Sequence, residues 1–505
     1  MKKISSALIS VFHKNGLDEI IAELRKLNIQ IYSTGGTLDY IKSLGVDAIA
    51  VESLTSFPSI FGGRVKTLHP KIFGGILYRR DNSDDQQQAQ EFDIPPIDLV
   101  IVDLYPFEQT LASGAPDEDI IEKIDIGGIS LIRAAAKNFN DVVIVPSAKH
   151  YAALANLLKE KNGCTDLEDR KYFAAHAFNV SSGYDTAIFN YFNSVKQIPT
   201  FKQSYDTNIW LRYGENPHQQ GVFFGNLDEV FEQLNGKSIS YNNLVDIEAA
   251  VNLIADFSDT TFAILKHTNA CGIASREKLI DTWKDALTGD PVSAFGGVLV
   301  TNRSLDVETA TEINNLFFEV IIAPDYDVQA LEILCQKKNR IILKQKLFRF
   351  PAIQFKSLLN GVIKQDKDII IEKPEDLHVV SLTLPDAQTV EDLLFANKIA
   401  KHTKSNTIVL AKNLQLLGNG TGQTSRVDAL KQAIGKAKEF GKDLNNAVMA
   451  SDAFFPFPDC VEIAYQEGIK AVIQPGGSIN DKKSIDFCNQ NGVSMVLTGI
   501  RHFKH

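Results

Sequence analysis

The stretch "ALISVFHKNGLDEIIAELRKLNIQIYS", residues 7–33, decides the fold of the first part of the chain. Its first five residues are an apolar run that predicts a buried strand, and residues 29–33 predict a second strand. Between them, residues 16–27 carry apolar side chains at helical spacing, namely Leu17, Ile20, Ile21, Leu24 and Leu27. Strand, helix and strand in this order indicate a parallel sheet covered by helices.

The same alternation continues along the chain. Further strands are predicted at 99–103, 142–145, 261–265, 447–451, 470–474 and 494–498, and further helices at 460–466 and 481–491. A chain of 505 residues is longer than one core usually serves. The polar segment 195–208, "VKQIPTFKQSYDTN", lacks periodicity and predicts a domain boundary, which we set between residues 198 and 199. No fixed-period repeat is visible.

Composition restricts the class of protein. The formal net charge of −10 argues against a general nucleic-acid surface, although local basic pockets remain compatible with it. The five cysteines are far apart and none has CxxC or HxE spacing, so we expect no metal site and reduced thiols in a cytoplasmic protein. No apolar run approaches the ~20 residues of a membrane span, and the first residues predict a strand, not a signal peptide.

Ligands of open parallel sheets bind beyond the carboxyl ends of the strands, so the segments after the strands hold the candidate site. "STGGT", residues 33–37, joins a strand to a helix, and Lys14 follows the neighbouring strand. Glycines, hydroxyls and a helix N-terminus favour a phosphate there. A tight turn capped by threonine explains the same residues, and both interpretations stay open.

Two longer segments predict an anion site more strongly. In "FGGRVKTLHPKIFGGIL", residues 61–77, Arg64 and Lys66 would face the same side of an extended chain and hold a phosphate or an oxyanion. In "IDIGGISLIRAAAKNF", residues 124–139, Asp125 precedes a helix with Ser130, Arg133 and Lys137 on one stripe. The stripe is either the solvated face of that helix or an inward-facing anion site, and the apolar neighbours favour the second.

Loops in the second part carry aromatic and cationic residues. "RYGENPHQ", residues 212–219, predicts a rigid recognition loop, and Phe295 in "DPVSAFGG" suits the wall of a flat ring. "GNGTGQTSR", residues 418–426, is neither a dinucleotide nor a P-loop motif, although its backbone and Arg426 suit a phosphate. "DAFFPFPD", residues 452–459, predicts a planar ligand, a subunit contact or a loop tucked into the core.

"LKHTNACG", residues 265–272, offers four kinds of chemistry in one stretch. A metal site lacks ligands at suitable spacing, and Cys271 lacks a partner base, which favours a structural thiol. His267 remains as a proton shuttle and Lys266 as electrophilic support. The two act together only if the predicted strand bends where it ends.

These motifs, with "DLYPF", "QPGGSIND" and the ending "TGIRHFKH", follow the order of a known family from end to end. The sequence closely resembles the bifunctional purine biosynthesis enzymes, AICAR transformylase (phosphoribosylaminoimidazolecarboxamide formyltransferase)/IMP cyclohydrolase. The resemblance implies an α/β protein with a methylglyoxal-synthase-like doubly wound parallel sheet over 1–198. It implies a transformylase domain over 199–505, built of two cytidine-deaminase-like subdomains at about 199–370 and 371–505.

The resemblance also implies two reactions. A formyl group passes from the cosubstrate 10-formyltetrahydrofolate to AICAR, and the product FAICAR closes to IMP with loss of water. It implies no metal, nucleic-acid or membrane partner, and a homodimer with transformylase sites at the interface. The alternative is a transformylase alone, with an inactive or regulatory nucleotide-binding N-terminal domain.

Site residues are carried over by motif. The implied catalytic residues are Lys66, Tyr105, Asp125 and Lys137 for the cyclohydrolase, and Lys266, His267 and Asn406 for the transformylase. The implied substrate-binding residues are Ser10, Lys14, Ser33, Thr34, Gly35, Thr37, Arg64, Thr67, Arg212, Tyr213, His218, Phe295, Gly296, Glu319, Arg426, Phe454, Asp459, Arg501 and His505. The chain departs from the family pattern at Phe12, His13, Val292 and Glu319, which puts affinity in question more than reaction type.

Overall fold

A computed structural model describes residues 1–195 and 198–505 of the chain. The chain divides into two units, Met1–Asp206 and Thr207–His505. The division lies inside the polar segment 195–208, of which residues 196 and 197 are outside the described residues. Among the described residues, no helix is both long and apolar enough to cross a membrane.

The first unit is built around a five-stranded sheet with the strand order β4-β3-β2-β5-β6, in which every pair is parallel. Its elements are β1 (Lys2–Lys3), β2 (Ser6–Val11), α1 (Leu17–Lys26), β3 (Gln30–Ser33), α2 (Gly35–Ser43), β4 (Ile49–Ala50), α3 (Val51–Thr55), α4 (Pro70–Leu77), α5 (Ser83–Glu91), β5 (Leu99–Asp103), α6 (Phe107–Ala112), α7 (Asp117–Ile121), α8 (Gly127–Lys137), β6 (Val143–Val145), α9 (Tyr151–Glu160), β7 (Cys164–Thr165) and α10 (Leu167–Phe192).

Helices cover both faces of this sheet, as the alternation along β2 requires. Ile9 packs into one apolar cluster with α1 and α9, whereas its neighbour Leu8 packs into a second cluster with α4, α8 and α10. Successive strand residues point to opposite faces, so a strand with buried apolar residues at consecutive positions, such as Ala7, Leu8 and Ile9, must be covered on both faces. The doubly wound parallel sheet predicted for the first part of the chain is confirmed.

The second unit contains a twelve-stranded mixed sheet with the order β10-β15-β14-β13-β11-β12-β20-β19-β21-β22-β23-β18. Its elements are β8 (Asn208–Trp210), β9 (Val222–Phe224), β10 (Phe231–Asn235), α11 (Tyr241–Ile254), β11 (Thr261–Lys266), β12 (Asn269–Ser275), α12 (Leu279–Leu287), β13 (Val298–Thr301), α13 (Val307–Ile313), β14 (Val320–Ala323), α14 (Val328–Cys335), β15 (Ile341–Gln345), β16 (Ile353–Leu358), β17 (Gly361–Asp366), β18 (His378–Val379), α15 (Ala387–His402), β19 (Ile408–Lys412), β20 (Gln415–Gly420), α16 (Arg426–Glu439), β21 (Val448–Ser451), α17 (Asp459–Gln466), β22 (Ala471–Gln474), α18 (Asp481–Asn491) and β23 (Ser494–Leu497).

The second unit repeats one topology twice, although its sequence has no visible repeat. In each half a helix precedes an antiparallel hairpin, and the hairpin is followed by three strands that alternate with helices. The halves are β11–β15 and β19–β23, and they meet where β12 pairs with β20. Matching hairpins carry matching bulges, after Ile264 in one half and after Leu410 in the other. The two halves therefore share a pattern of backbone hydrogen bonds and not a visible sequence repeat.

The predicted strand 261–265 agrees with β11, and "KHTNACG" begins at its carboxyl end as expected. The strand β12 was not predicted: β11 and β12 form an antiparallel hairpin that turns at His267 and Thr268. Both residues have left-handed backbone, with φ of 51° and 68°. Antiparallel strands can be joined by a turn of two residues, which needs such φ values. The bend that Lys266 and His267 require is therefore a hairpin turn.

Candidate active sites

A cavity of about 710 Å³ lies at the carboxyl ends of β2 and β5 in the first unit. The N-terminus of α2, the basic segment after residue 61 and the turn before α8 complete its wall. The predicted residues that line it are Ser10, Lys14, Thr34, Thr37, Arg64, Lys66, Thr67, Tyr105 and Asp125. Segments that are far apart in the sequence thus meet around one space.

Cations on two sides of this cavity favour an anionic ligand. The Lys14 ammonium donates to the backbone oxygen of Phe12 at 2.9 Å. Burial lowers the pKa of Lys14, the charge of Asp103 raises it, and the nearby Lys66 lowers it. An anion bound between the two ammonium groups would relieve their repulsion and favour the charged form of Lys14. The cavity is therefore suited to a phosphate or another anionic group.

Asp125 sits at the N-terminus of α8, where backbone N–H groups face it. The N–H of Gly128 donates to Oδ1 at 2.6 Å, and the N–H of Asp125 itself donates to the hydroxyl of Tyr184 at 2.9 Å. Burial raises the pKa of the Asp125 carboxyl, against the lowering effect of backbone hydrogen bonds, chiefly from Gly128 and Tyr105, and of the charge of Lys66. A carboxyl that holds its proton to higher pH beside a lysine is suited to proton transfer.

Phe12 and His13, where the chain departs from the family pattern, contact other residues of this cavity. Phe12 meets the ring of Tyr105 edge to face with 5.5 Å between centroids. His13 places Nδ1 2.6 Å from the carboxylate of Asp103, which also accepts the His13 backbone N–H at 2.9 Å. Burial, and to a smaller extent Asp125, raise the pKa of Tyr105. The altered loop therefore supports the cavity wall.

Three predicted residues of the first unit do not line the cavity. Ser33 is buried behind it and its hydroxyl donates to the oxygen of Ile9 at 2.8 Å, so a ligand would meet its backbone at most. Gly35 begins α2, with φ of 51° and Lys66 close by. Lys137 is exposed at the end of α8 away from Asp125. Arg133 is exposed too, so the inward-facing stripe predicted for this helix is wrong.

In the second unit the hairpin between β11 and β12 presents His267 at its exposed apex. The turn is fixed to α11, because the backbone N–H of Thr268 donates to Oδ1 of Asp246 in that helix at 2.7 Å. Asn269 supports it from the side, since its Nδ2 donates to the oxygen of His267 at 2.7 Å. The histidine is thus carried on a turn whose backbone is fixed by hydrogen bonds.

Lys266 points from the same hairpin towards two phenylalanine rings. Its ammonium donates to the backbone oxygen of Phe295 at 2.5 Å. The ring of Phe295 lies 5.0 Å from that of Phe317, and the N–H of Gly296 donates to the Phe317 oxygen at 2.8 Å. Phe295 is 59% exposed, so this aromatic wall has a free face. Lys266, Phe295 and Gly296 were predicted together and lie together.

Glu319 lies beyond the aromatic wall, at the start of β14. It pairs with Lys237 at 2.6 Å and lines a second cavity of about 570 Å³ with Phe317 and Arg340. The negative charge of the Glu319 carboxylate is therefore paired with the positive charge of Lys237. A ligand hydroxyl at Glu319 would share the carboxylate with that lysine.

The loop before β19 carries Asn406 and meets the hairpin of His267. The N–H of Lys404 donates to Oδ1 of Asn269 at 3.0 Å, which joins the loop to that hairpin. Nδ2 of Asn406 donates to the backbone oxygen of Gln423 at 3.0 Å. Asn406 was predicted from a motif 139 positions after His267, and these contacts bring its loop beside the turn.

Arg426, which was predicted to bind substrate, forms an ion pair with Asp452 within the protein. Its guanidinium donates to Asp452 at 2.9 Å and to the hydroxyl of Ser451 at 3.0 Å, and the Asp452 side chain is fully buried. Asp452 also accepts a hydrogen bond from the Ser405 hydroxyl. The arginine thus organises the loop that holds Asn406, and direct ligand binding by Arg426 stays a prediction.

The predicted recognition loop contacts the same helix as the hairpin that carries His267. Glu215 of this loop accepts a hydrogen bond from Asn242 at 3.2 Å, one helical turn before Asp246 in α11. The guanidinium of Arg212 donates to the hydroxyl of Tyr213 at 2.7 Å. Residues four apart lie on one face of a helix, so α11 brings loop and hairpin to the same side. His218 is exposed in this loop.

The remaining predicted residues lie on the two segments beside Asp452. Phe454 is 38% exposed, and Asp459 begins α17 and accepts the N–H of Cys460 at 2.8 Å. Arg501 and His505 are exposed on the terminal residues, where Arg501 stacks on Phe503. Ligand binding by these four residues stays a prediction.

The cysteine at the hairpin behaves as a structural thiol. The Cys271 thiol donates to the oxygen of Ile264 at 3.4 Å, and burial raises its pKa to about 12. All five cysteines are unpaired. Within residues 1–195 and 198–505, no three His, Cys, Asp or Glu side chains are grouped so as to hold a metal ion.

Sequence reasoning missed several supporting residues. Asp246 and Asp452 hold the hairpin and the Asn406 loop, and Asp103 and Lys123 line the first cavity. Asp103 has a signal in the sequence, because it ends a buried strand just before Tyr105. Asp452 begins the quoted segment "DAFFPFPD", but nothing in the sequence indicates its pairing or that of Asp246, since their partners are backbone groups and side chains more than 20 positions away.

The fold and the two candidate sites together define the class of protein to which the chain belongs. The first unit is an α/β domain with an anion-binding cavity and a proton-transfer group, and the second unit carries an exposed histidine beside a lysine and an aromatic wall. This is the construction of an enzyme with two sites for anionic, partly planar substrates.

Comparison with known proteins gives the family. Residues 135–436 match the family described as AICARFT/IMPCHase bienzyme, and residues 16–130 match the MGS-like domain. "Bifunctional purine biosynthesis protein PurH" of Bacteroides thetaiotaomicron is 64% identical over 504 residues, covering 100% of this chain and 99% of the relative. The protein of that name from Aquifex aeolicus is 47% identical, covering 99% of this chain and 100% of the relative.

The chain belongs to the AICARFT/IMPCHase bienzyme family. It is a bifunctional enzyme of purine biosynthesis, an AICAR formyltransferase and an IMP cyclohydrolase, as the sequence resemblance implied. The match covers both units, so the alternative of a transformylase alone is not favoured.

Proposed function

We propose that the two activities are carried by separate units of the chain. The first unit closes FAICAR to IMP in the cavity of Lys66 and Asp125, and the second unit transfers the formyl group at the hairpin of His267. The observation that carries this division is that each unit has its own set of charged and proton-transferring groups.

The formyl donor is 10-formyltetrahydrofolate, in keeping with a formyltransferase. The AICAR amine is a poor nucleophile because its lone pair is spread into the ring. As the amine nitrogen bonds to the formyl carbon, His267 takes its proton, and the bond from that carbon to N10 of the folate breaks. Lys266 and Asn406 steady the formyl oxygen, and N10 receives the proton.

Cyclisation is intramolecular, so positioning supplies much of its rate. The carboxamide nitrogen of FAICAR attacks the formyl carbon, and the formyl oxygen leaves as water. Lys66 polarises that oxygen, and Asp125 passes it one proton of the carboxamide nitrogen. The second proton comes from the formamido nitrogen, which forms a double bond to the former formyl carbon as the C–O bond breaks and water leaves. Lys14, with Thr34 and Thr37 at the N-terminus of α2, holds the phosphate of the substrate.

The nucleotide of the formyl-transfer site is held by the exposed residues around the hairpin. Phe295 supports the flat ring, and Arg212, Tyr213 and the terminal Arg501 and His505 meet the charged part. Phe454 and Asp459 face the folate. The exposed state of Phe295, Phe454 and Arg501 supports this assignment.

We also propose that two copies of the chain form a homodimer through the second unit. The hairpin of β16 and β17 is exposed along its whole length, including Ile353, Leu358, Val362 and Ile363. Exposed apolar strands of this kind mark interfaces in soluble proteins. Five unpaired cysteines fit a cytoplasmic location.

Formyl transfer is tested with His267→Ala. We expect loss of transfer from 10-formyltetrahydrofolate to AICAR, by about 10²- to 10⁴-fold, because a general base is removed. IMP formation from FAICAR, followed by absorbance in the same preparation, should be unchanged. Undiminished transfer would refute His267 as the base.

Cyclisation is tested with Lys66→Ala and Lys137→Ala. Loss of IMP formation in Lys66→Ala, with formyl transfer retained, is expected from its place in the cavity. Lys137 stays a prediction from motif, and its exposed position makes Lys137→Ala the sharper test. An undiminished rate in Lys137→Ala would remove Lys137 from the site.

The homodimer is tested by sedimentation of Ile363→Asp, with Gln365→Asp on the same strand as a matched control. We expect Ile363→Asp to sediment as a monomer and lose formyl transfer, because the proposed sites lie at the interface. A dimer with full activity would contradict this interface.

A further inference from the structure

The last residues of the chain are irregular in backbone but held firmly. His502 is 2% exposed, and its N–H donates to the oxygen of Asp452 at 3.1 Å. The N–H of Lys504 donates to the hydroxyl of Ser405 at 3.2 Å, and the N–H of Ser405 donates back to the Lys504 oxygen at 2.9 Å. Residues 500–505, here called the terminal tail, thus run beside the loop of Asn406.

The imidazole of His502 lies between two carboxylates. Nδ1 is 2.6 Å from Oδ2 of Asp368, and Nε2 is 2.7 Å from Oε1 of Glu372. Ionised carboxylates accept hydrogen bonds and do not donate them, so both ring nitrogens carry protons and the ring is an imidazolium. The Glu372 side chain is 3% exposed, and its other oxygen accepts from Asn397 at 3.0 Å.

We call the arrangement of His502 between Asp368 and Glu372 the clamp. Charged groups of neighbouring elements lie close to it. Asp368 and Glu372 come from the segment after β17, and Lys401 of α15 donates to the Ile370 oxygen of that segment at 2.9 Å. Asp452, paired with Arg426, lies on the side of β21. Within the tail, the Lys504 ammonium donates to the His402 oxygen at 2.9 Å.

Two effects act on the protonation of His502. Burial disfavours the imidazolium, but hydrogen bonds and charge attraction from Asp368 and Glu372 outweigh it and raise the pKa to about 9. The group is therefore charged at neutral pH and loses its proton in mildly alkaline solution. Its contribution to stability is complete below the ordinary histidine pKa and is lost as the pH rises through about 9.

We propose that His502 is a positioning residue for formyl transfer, which ties the terminal tail to residues 368–372 and so holds the Asn406 loop in place. The inference rests on the proposed assignment of formyl transfer to the second unit. The path of contacts is short. The tail bonds to Ser405, and the adjacent Lys404 bonds to Asn269 in the hairpin of His267.

A neutral ring cannot satisfy both carboxylates. When His502 loses its proton, one ring nitrogen faces a carboxylate without a proton to share, and the clamp opens on that side. The tail would then loosen from Ser405, and the Asn406 loop would shift relative to the hairpin. Small misplacements of catalytic groups lower rates steeply, so we expect formyl transfer to fall on the order of tenfold.

The test uses the full-length protein with His502→Gln. Formyl transfer is measured as kcat and KM for AICAR across pH 6 to 10. IMP formation from FAICAR reports on the first unit, and the thermal unfolding of the full chain, compared with wild type, reports whether the second unit is folded. We expect transfer to fall at least severalfold at neutral pH with cyclisation unchanged, and the alkaline limb of the wild-type transfer profile to disappear. His378→Gln, an exposed histidine of β18, is the matched control and should behave as wild type.

A milder variant keeps the test decisive if His502→Gln folds poorly. Asp368→Asn removes the charge of the more exposed carboxylate, whose side chain is 41% exposed. It should move the alkaline limb of formyl transfer to lower pH while leaving cyclisation unchanged. An unmoved limb in Asp368→Asn, or wild-type transfer in a folded His502→Gln, would overturn the proposal.

Failure of this inference and failure of the proposed function are distinguishable. If wild-type protein transferred no formyl group, the assignment of function would fall. The clamp would still be tested by an NMR titration of the His502 ring, for which an ordinary histidine pKa would overturn it.

Discussion

The hairpin that carries His267 depends on one carboxylate, so Asp246→Ala tests how the active geometry is held. His267 and Thr268 are left-handed, which costs roughly 1–2 kcal/mol for each residue that is not glycine. The hydrogen bond from the Thr268 N–H to Asp246 at 2.7 Å offsets that cost. Without it, the turn is expected to relax and carry His267 away from the amine that we propose it deprotonates.

The size of the effect follows from the type of hydrogen bond. A hydrogen bond to a charged group contributes about 1.5–3 kcal/mol, which corresponds to about 10- to 150-fold in rate. Burial raises the pKa of Asp246, against the lowering effect of this same bond, so part of its energy keeps the carboxylate ionised. We therefore expect the lower end, about tenfold in kcat/KM for formyl transfer.

The second half of the sheet offers a matched control. Asp392 of α15 accepts the N–H groups of Asn413 and Leu414 at 2.8 and 2.7 Å, and these residues are also left-handed. Their hairpin carries no predicted catalytic residue. Asp392→Ala should lower thermal stability at least as much as Asp246→Ala while leaving formyl transfer per folded molecule unchanged.

The assay follows formyl transfer and IMP formation separately in each variant. Asp246→Asn keeps a neutral oxygen acceptor and should lie between wild type and Asp246→Ala. Equal losses of formyl transfer in Asp246→Ala and Asp392→Ala would refute the reasoning, because the effect would then be one of general stability.

Three further predictions concern the cavity and the packing of the sheet. Asp125→Asn should lower IMP formation by about 10²- to 10⁴-fold and yet raise the thermal midpoint at neutral pH. Burial raises the pKa of Asp125, so stability falls as the pH rises from the usual aspartate range through that raised value, and a lower midpoint for the variant would contradict this. Phe12→Ala should lower kcat/KM for cyclisation by about 2- to 10-fold, since an aromatic pair such as Phe12–Tyr105 contributes about 0.5–1.5 kcal/mol, and an unchanged value would exclude this support. Gly420→Ala should lower the free energy of unfolding, measured by urea titration, by about 3 kcal/mol or more, because the new Cβ would lie 1.8 Å from the Ala429 oxygen. Gly435→Ala, in open space within α16, should instead raise the free energy of unfolding by roughly 0.5–1 kcal/mol. Similar midpoints for the two glycine variants would show that the helix does not pack as described.

Much of the local structure follows from the sequence because it depends on short-range periodicity. The predicted strand 99–103 and helix 481–491 agree with Leu99–Asp103 and Asp481–Asn491. The predicted helix 16–27 differs from Leu17–Lys26 by one residue at each end. These segments have an apolar pattern of a single period and clear ends, with Gly16 before α1 and Gly492 after α18.

The candidate sites were partly predictable for a different reason. Lys14, Thr37 and Tyr105 follow strands of one parallel sheet, whose carboxyl ends must meet at one edge. Lys137 follows from motif alone, and nothing in helical periodicity tells which exposed face of α8 meets a ligand. The hairpin at His267 was missed because the apolar pattern of a buried strand is the same whether its neighbour is parallel or antiparallel.

The sequence by itself determined the strands and helices with clear periodicity, the doubly wound first unit, and the family with its two reactions. The tertiary structure decided how distant residues meet: the turn of His267 over Asp246, the buried pair of Arg426 and Asp452, and the clamp of His502 between Asp368 and Glu372. The physical reason is the range of the interactions. Helices and strands arise from neighbours along the chain, whereas a hydrogen bond across a hundred residues depends on the packing of the whole sheet.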